Sequence, residues 1–336
     1  MNNHDSLICD TGILTHTSGP LLVAFDVTSV CNFHCIHCFN NSGKKLENEL
    51  SNEEALTVAM QIADMSPMTV CLCGGEPLLR KNIIEIIETI SKSAGTVHMV
   101  SNGFLVDEKN IHSLKNAGLT MLQISLDGYN AIQHDTIRGF AGAFEKAINA
   151  INCAKKANLN IATAFAPNKT NYRTIKRYLD LCQSLGVSTA RFMPLIPMGR
   201  GNSMGSLLLS ADEYVEIQLL LKEEMNVRRN SGFVIEWGDP LDHFFRVPNN
   251  AKIGFNTYSM EIKADGSLVI SAYIPVVVGN VRKHSLKAYW DAGYDKIWEN
   301  AKFLEFIKDI ENIYDINQLT PKPYSGEYMY IDLIPD

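Results

Sequence analysis

The densest chemistry in the chain lies in eight residues near its start, Cys31-Asn32-Phe33-His34-Cys35-Ile36-His37-Cys38. Three thiolates this close in sequence can face one centre. A [4Fe–4S] cluster is normally held by four cysteines. Three cysteines leave one iron without a protein ligand, and an open position lets a small molecule chelate the metal, as at catalytic zinc. Two other readings stand beside this one. Zinc suits the same loop because His34 and His37 lie in it. Buried thiols also gather simply as small hydrophobic groups.

Further candidates recur downstream. In Cys73-Gly74-Gly75-Glu76-Pro77 two missing side chains let backbone approach a ligand closely, and the same residues read equally as a plain turn. Ser101-Asn102-Gly103 offers a hydroxyl and an amide, or an Asn-Gly turn. Ser125-Leu126-Asp127-Gly128 supplies a hydroxyl and a carboxylate, and Asp127 also suits a cap. Arg138 follows, with a forked guanidinium matched to carboxylates, though an exposed Arg is usually only surface. Met193 and Leu195 offer apolar contact, or core packing. Cys71 and Cys73 share one face of a strand at period two. Their first reading is packing inside the sheet; the sharper one is a thiol placed to donate hydrogen to a bound substrate.

These residues need elements to position them. Strands are predicted at 21–28, 69–73, 96–101, 121–125, 161–165 and 189–195. Helices are predicted at 52–64 (from the capping box Ser51…Glu54), 78–92, 108–117, 141–157 and 172–185. Repeated strand-then-helix units argue for a parallel sheet with helices outside, curled into a partial (β/α)6 barrel. Ligands of such sheets sit at the carboxyl ends of the strands, where every motif above falls. After residue 197 the rhythm breaks into a Gly- and Ser-rich loop, a helix at 211–229, a β-hairpin over 258–274 turning at Ala264-Asp265-Gly266, and helical patterns near 286–290 and 294–310. The tail, with Pro321, Pro323 and Pro335, reads as extended. The expected organisation is α/β: an N-terminal segment over 1–20, the partial barrel over 21–200, and a small α+β extension of hairpin plus helices over 201–336.

The cysteine spacing, three residues then two, resembles the signature of the radical S-adenosylmethionine (SAM) enzymes. The Gly-Gly-Glu-Pro, Ser-Asn-Gly and Ser-Leu-Asp-Gly runs resemble its later elements in the right order. That joint match retires zinc. The resemblance implies that Cys31, Cys35 and Cys38 hold one [4Fe–4S] cluster and that SAM chelates the open iron. One-electron cleavage of SAM then yields a 5′-deoxyadenosyl radical that abstracts hydrogen from substrate. It implies a SAM pocket built from Gly74, Gly75 and Glu76 at the methionyl amine, Ser101 and Asn102 at the ribose, Ser125 and Asp127, Arg138 at the methionyl carboxylate, and Met193 or Leu195 on adenine. His37 stands where the family usually has an aromatic residue, and packs on adenine or borders the cluster. The C-terminal hairpin, with Val278-Gly279-Asn280-Val281, resembles the SPASM or twitch extension of radical SAM peptide-modifying enzymes. There Ser271 stands where that pattern has a cysteine, and another cysteine is missing near 251–254. The implied fold keeps the extension without its auxiliary clusters.

Composition narrows the classes. The chain has 336 residues, 46% hydrophobic and 20% charged, with a net charge of −7, as in a globular protein with ample core. No block of Lys and Arg marks a nucleic-acid surface. No run approaches the ~20 apolar residues of a membrane helix, and the polar start lacks a secretory signal. The expected location is cytoplasmic, where the eight cysteines are metal ligands or buried groups rather than disulfides. The function expected is modification of a ribosomally made peptide. An external electron donor of flavodoxin or ferredoxin type, and a separate peptide-recognition protein, are the expected partners, because only ~20 residues precede the first strand. The alternative is a small-molecule substrate, a sugar or amino-acid derivative, undergoing dehydrogenation, epimerisation or lysis. A non-catalytic iron–sulfur protein is a third class.

Overall fold

The computed structural model describes residues 17–245, 248–249, 257–312, 314–319 and 328–335. Cys9, the sequence near 251–254 and the prolines at 321 and 323 lie outside the described residues.

The strands alternate as their sequences demand. In β1 (Leu22–Thr28), Val23, Phe25 and Val27 are buried against helices while Ala24 and Asp26 face the other way. In β2 (Thr69–Gly74), Val70 and Leu72 are fully buried and Cys71 and Cys73 occupy the opposite face. Five more parallel strands continue the sheet: β3 (Thr96–Ser101), β4 (Met121–Ser125), β5 (Asn160–Phe165), β6 (Thr189–Phe192) and β7 (Val234–Trp237). The sequence reading placed six strands in this series; β7 is the addition, a short strand whose Val234 and Glu236 are exposed and carry little periodic signal.

Helices close the outer layer. α1 (Asn52–Asp64) starts as expected: the Ser51 hydroxyl accepts the Glu54 N–H, and the Glu54 carboxylate accepts the Ser51 N–H. It buries Val58 and Ile62 against the sheet's outer face. The predicted helix over 78–92 is broken. Residues Pro77–Leu79 form a short 3-10 turn, Arg80 is extended, and only α2 (Ile83–Ile90) is α-helical. The buried Arg80 side chain bonds the carbonyls of Leu50 and Ser51, which holds the chain out of helical register. α3 (Glu108–Asn116), α5 (Ala143–Lys156), α6 (Ile175–Leu185) and α7 (Ala211–Arg228) fall close to their predicted places. α4 (Ala131–Arg138) was not anticipated; Asn130 caps its start and Gly139, at φ 65°, ends it.

The C-terminal region joins this sheet rather than standing apart. β8 (Ser259–Ile262) pairs in parallel with β1, and β9 (Ser267–Ser271) returns antiparallel, completing the expected hairpin. β10 (Ile274–Asn280) and a short β11 (Met329–Tyr330) extend it to eleven strands in the order β11-β10-β9-β8-β1-β2-β3-β4-β5-β6-β7. α8 (Leu286–Asp291) and α9 (Ala301–Ile307) pack on this side. Gly279 is required there, because a side-chain carbon at that position would lie 2.2 Å from the Tyr289 ring.

Trp290 anchors the C-terminal layer. It is fully buried, its indole N–H donates to the Thr17 carbonyl at 2.8 Å, and its ring stacks on Tyr294. Trp290→Ala is expected to cost about 3–5 kcal/mol, read as a lower denaturant midpoint in equilibrium unfolding.

Candidate active site

The cysteine loop leaves β1 and is fastened by backbone. Cys31 N–H donates to Gly43 O at 3.0 Å, and Gly43 N–H donates to Ser29 O at 2.9 Å. The Glu49 carboxylate accepts from the Thr28 hydroxyl and the Ser29 N–H. From the other side, Gly75 N–H donates to Thr28 O and Glu76 N–H to Val30 O, both at 2.8 Å. This approach explains the glycine pair: a side chain at Gly75 would lie 2.2 Å from Val30 O, and Gly74 sits at φ 113°. The Gly75 and Glu76 N–H groups are thus engaged with the β1 exit. Only the rest of the Gly74-Gly75 backbone faces the cavity.

That cavity, about 210 Å³, lies at the carboxyl ends of the strands. Cys31, Cys35 and Cys38 all line it, and none is in a disulfide. Burial pushes the Cys31 thiol up to about 11 and raises Cys35 as well, with Arg138 opposing the shift at Cys35. Phe33, Phe104 and Phe140 pack as one aromatic group beneath the loop.

The expected pocket residues divide. His37, Asn102, Ser125, Asp127 and Arg138 line the polar side, and Met193 and Leu195 the apolar side. Glu76 and Ser101 do not reach the wall. The buried Glu76 carboxylate accepts from the Ser101 hydroxyl at 2.9 Å, the Asn102 N–H at 2.8 Å and the Leu78 N–H at 3.2 Å. Both residues therefore brace Asn102, whose amide reaches Asn32 Oδ1 at 2.9 Å and lies 3.9 Å from Cys31 Sγ. Cys71 and Cys73 lie deeper on β2 with Cys73 Sγ 3.7 Å from Cys71 O, and neither is part of the cavity wall.

Electrostatics centre on Asp127, which is only 1% exposed. Its Oδ2 pairs with Arg138 Nη2 at 2.6 Å and lies 3.7 Å from His37 Nε2; its Oδ1 accepts the Ala166 N–H at 2.8 Å. Burial alone would raise its pKa, but Arg138 and the two nearby histidines, His37 and His134, hold it below the usual carboxylate range. Burial drives both histidines down to about 4, so they are neutral near pH 7. Arg138, expected to meet a carboxylate, thus arrives already paired, with Nη1 3.8 Å from Cys35 Sγ.

Sequence reasoning missed Arg200. Its guanidinium donates to Cys35 O at 2.8 Å and Ser42 O at 2.7 Å, and its own N–H donates to Cys38 O at 3.0 Å. Its flanking glycines carry the signal: a side chain at Gly199 would lie 2.3 Å from Phe39 O. Tyr273, from the β9–β10 turn, also lines the cavity. It is one of four tyrosines of the extension, with Tyr258, Tyr328 and Tyr330, that the sequence offers for shaping the substrate site, and the other three do not line the cavity.

The radical SAM superfamily's sequence profile matches residues 25–182. This chain carries a radical SAM domain. The AdoMet-dependent heme synthase of Methanosarcina barkeri is 26% identical over 90% of this chain and 88% of its own. Mycofactocin maturase MftC of Mycobacterium tuberculosis is 28% identical over 86% of this chain and 73% of its own. Streptococcus suis SuiB bound to its precursor peptide SuiA superposes with a TM-score of 0.68 at 13% identity, over 88% of this chain and 68% of that one, a likeness of fold. The radical SAM enzyme's cofactors are a [4Fe–4S] cluster and SAM. The cavity suits such a pair. Three thiols face it together, and buried polar atoms of its lining, Ser42 Oγ and Arg138 Nε, have no protein partner. Among the described residues no three His, Cys, Asp or Glu side chains form a site for a single metal ion.

Glu76 supplies a pH test. Burial lifts its carboxyl from 4.5 to about 7, against the three N–H and O–H groups that favour the charged form. The folded chain holds this proton more tightly, so stability falls as pH rises from 4.5 to 7. Glu76→Gln is expected to flatten that decline by on the order of 2 kcal/mol, measured by urea unfolding across the window.

Proposed function

We propose that this radical SAM enzyme modifies a ribosomally made peptide, with Cys31, Cys35 and Cys38 as the cluster ligands and SAM in the cavity between them and Met193. The observation that carries the cofactor half is the convergence of the three thiols on one cavity with Asn102, Ser125 and the Asp127–Arg138 pair. A cluster held by Cys31, Cys35 and Cys38 would supply the single electron for reductive cleavage of SAM, and with it the means to take a hydrogen atom from substrate. The protein's own work is positional. Asp127 and Arg138 fix the loop through Cys35, Arg200 clamps its backbone, and Phe165, Met193 and Leu195 keep one wall apolar.

The peptide half rests on two supports. Relatives include a mycofactocin maturase, and a protein of the same fold has been crystallised with a precursor peptide. In this chain, β7 ends the sheet beside the cavity: among the described residues it pairs only with β6, and Pro240 just beyond it lines the cavity. An unpaired edge at the mouth can take an extended peptide as an added strand. The electron is assigned to an external flavodoxin- or ferredoxin-type donor, and delivery of the peptide to a separate recognition protein.

Anaerobically reconstituted protein with a strong reductant is expected to form 5′-deoxyadenosine from SAM, and the Cys31→Ala/Cys35→Ala/Cys38→Ala variant is expected to form none. Equal product from both would overturn the ligand assignment. Co-expression with short peptides encoded beside the gene should give a mass change in one of them; unchanged masses throughout, with SAM cleavage intact, would count against a peptide substrate.

A further inference from the structure

A sheet curled in this way usually fills its inner face with branched apolar side chains. Here the inner face carries small and polar side chains. β5 contributes Asn160, Ala162 and Ala164; Gln123 stands on β4, His98 on β3, Arg191 on β6 and Glu236 on β7. Arg191 is the unusual member. It is exposed on this inner face and, among the described residues, its side chain makes no hydrogen bond or ion pair. Glu236 is its registered neighbour on β7, on the same face, yet the two form no ion pair.

The side chain turns toward the mouth instead. A carbon built on Gly238 would lie 3.3 Å from Met193 Cγ and 3.7 Å from Arg191 Nε. The guanidinium end of Arg191 is therefore level with Met193, which lines the cavity. Its charge is also felt at Tyr273, another lining residue, and at Cys71 and His98 across the interior. Ala164 beside it leaves room, and the absence of a side chain at Gly238 keeps the approach open.

We propose that Arg191 anchors a carboxylate of the substrate next to the position that loses hydrogen, so that the preferred peptide carries an acidic residue there. This rests on the peptide reading above and names its specificity. An Arg side chain at the mouth with no carboxylate of its own offers a two-pronged, charge-assisted donor that a neutral amide in the substrate cannot match. Arg191 acts on binding and register; it has no part in SAM cleavage itself.

The test uses the full chain, reconstituted and loaded with SAM, and two probes, acetyl-Ala-Glu-Ala-amide and acetyl-Ala-Gln-Ala-amide. A third, acetyl-Ala-Gln-Ala with a free C-terminus, separates a side-chain carboxylate from a chain-terminal one. Binding is read by calorimetry at two salt concentrations. The Glu peptide is expected to bind about tenfold or more tightly than the Gln peptide, less so at high salt. Arg191→Gln should abolish the preference and Arg191→Lys should keep a reduced part of it, each with an unchanged thermal midpoint to show that the fold survives. A preference confined to the free C-terminus would reassign the anchor to a terminal carboxylate and overturn the acidic-residue reading. Equal affinity for both amide peptides, no binding of either, or a preference that persists in Arg191→Gln overturns the proposal. If 5′-deoxyadenosine still forms while the preference is absent, the Arg191 assignment fails and the radical SAM function stands.

Discussion

The cysteine loop is pressed against the ends of two strands so closely that side chains are forbidden at the contacts. Gly75 N–H donates to Thr28 O at 2.8 Å, a side-chain carbon at Gly75 would lie 2.2 Å from Val30 O, and one at Gly199 would lie 2.3 Å from Phe39 O. These backbone contacts fasten the loop from both flanks, and Arg200 bonds the Cys35 and Ser42 carbonyls across the top. Three thiols on a free loop would sample many geometries. Held by backbone on three sides, they face one cavity at the end of the barrel. Ordering such a loop costs conformational entropy at every residue, and the dense backbone hydrogen bonding offsets that cost before any ligand arrives.

A second constraint is charge. Asp127 and Arg138 are buried at the strand ends, and a buried ion pair contributes little net stability while the loss of either partner is costly. The pair is better understood as a geometric device. Asp127 ties the loop after β5 through the Ala166 N–H, and Arg138 ties α4 to Cys35. The neutral histidines His37 and His134 complete the surround, kept uncharged because burial penalises their protonated forms. Glu76 plays the corresponding part for Asn102, holding its backbone from beneath.

The interior of the barrel shows the opposite strategy. Beyond the cavity wall the inner face is small or polar rather than packed, so its stability rests on the outer layer, where Val23, Phe25, Val70, Leu72 and Ile62 are fully buried. This division keeps the inner face polar without weakening the sheet, because the helices bury the outer face completely enough to hold it. The β8–β9 hairpin, paired to β1 rather than free, brings Tyr273 over the same space.

Much of this was legible in the chain itself. The Cys31, Cys35 and Cys38 spacing is local, and a spacing of three then two residues speaks for a shared centre in any fold that keeps the loop compact. The capping box at Ser51 and the alternation in β1 and β2 are equally local, and they placed α1 and those strands closely. Tertiary structure decided the rest. Glu76 and Ser101 look like ligand contacts in the sequence but are spent on each other, because burial forces a carboxylate to collect every nearby donor. Arg200 and Tyr273 reach the cavity from distant segments, and the partnerless state of Arg191 depends on three strands meeting at one height. A sequence specifies such neighbours only through the whole packed sheet, since none of them lies within a turn or a strand of the groups it faces.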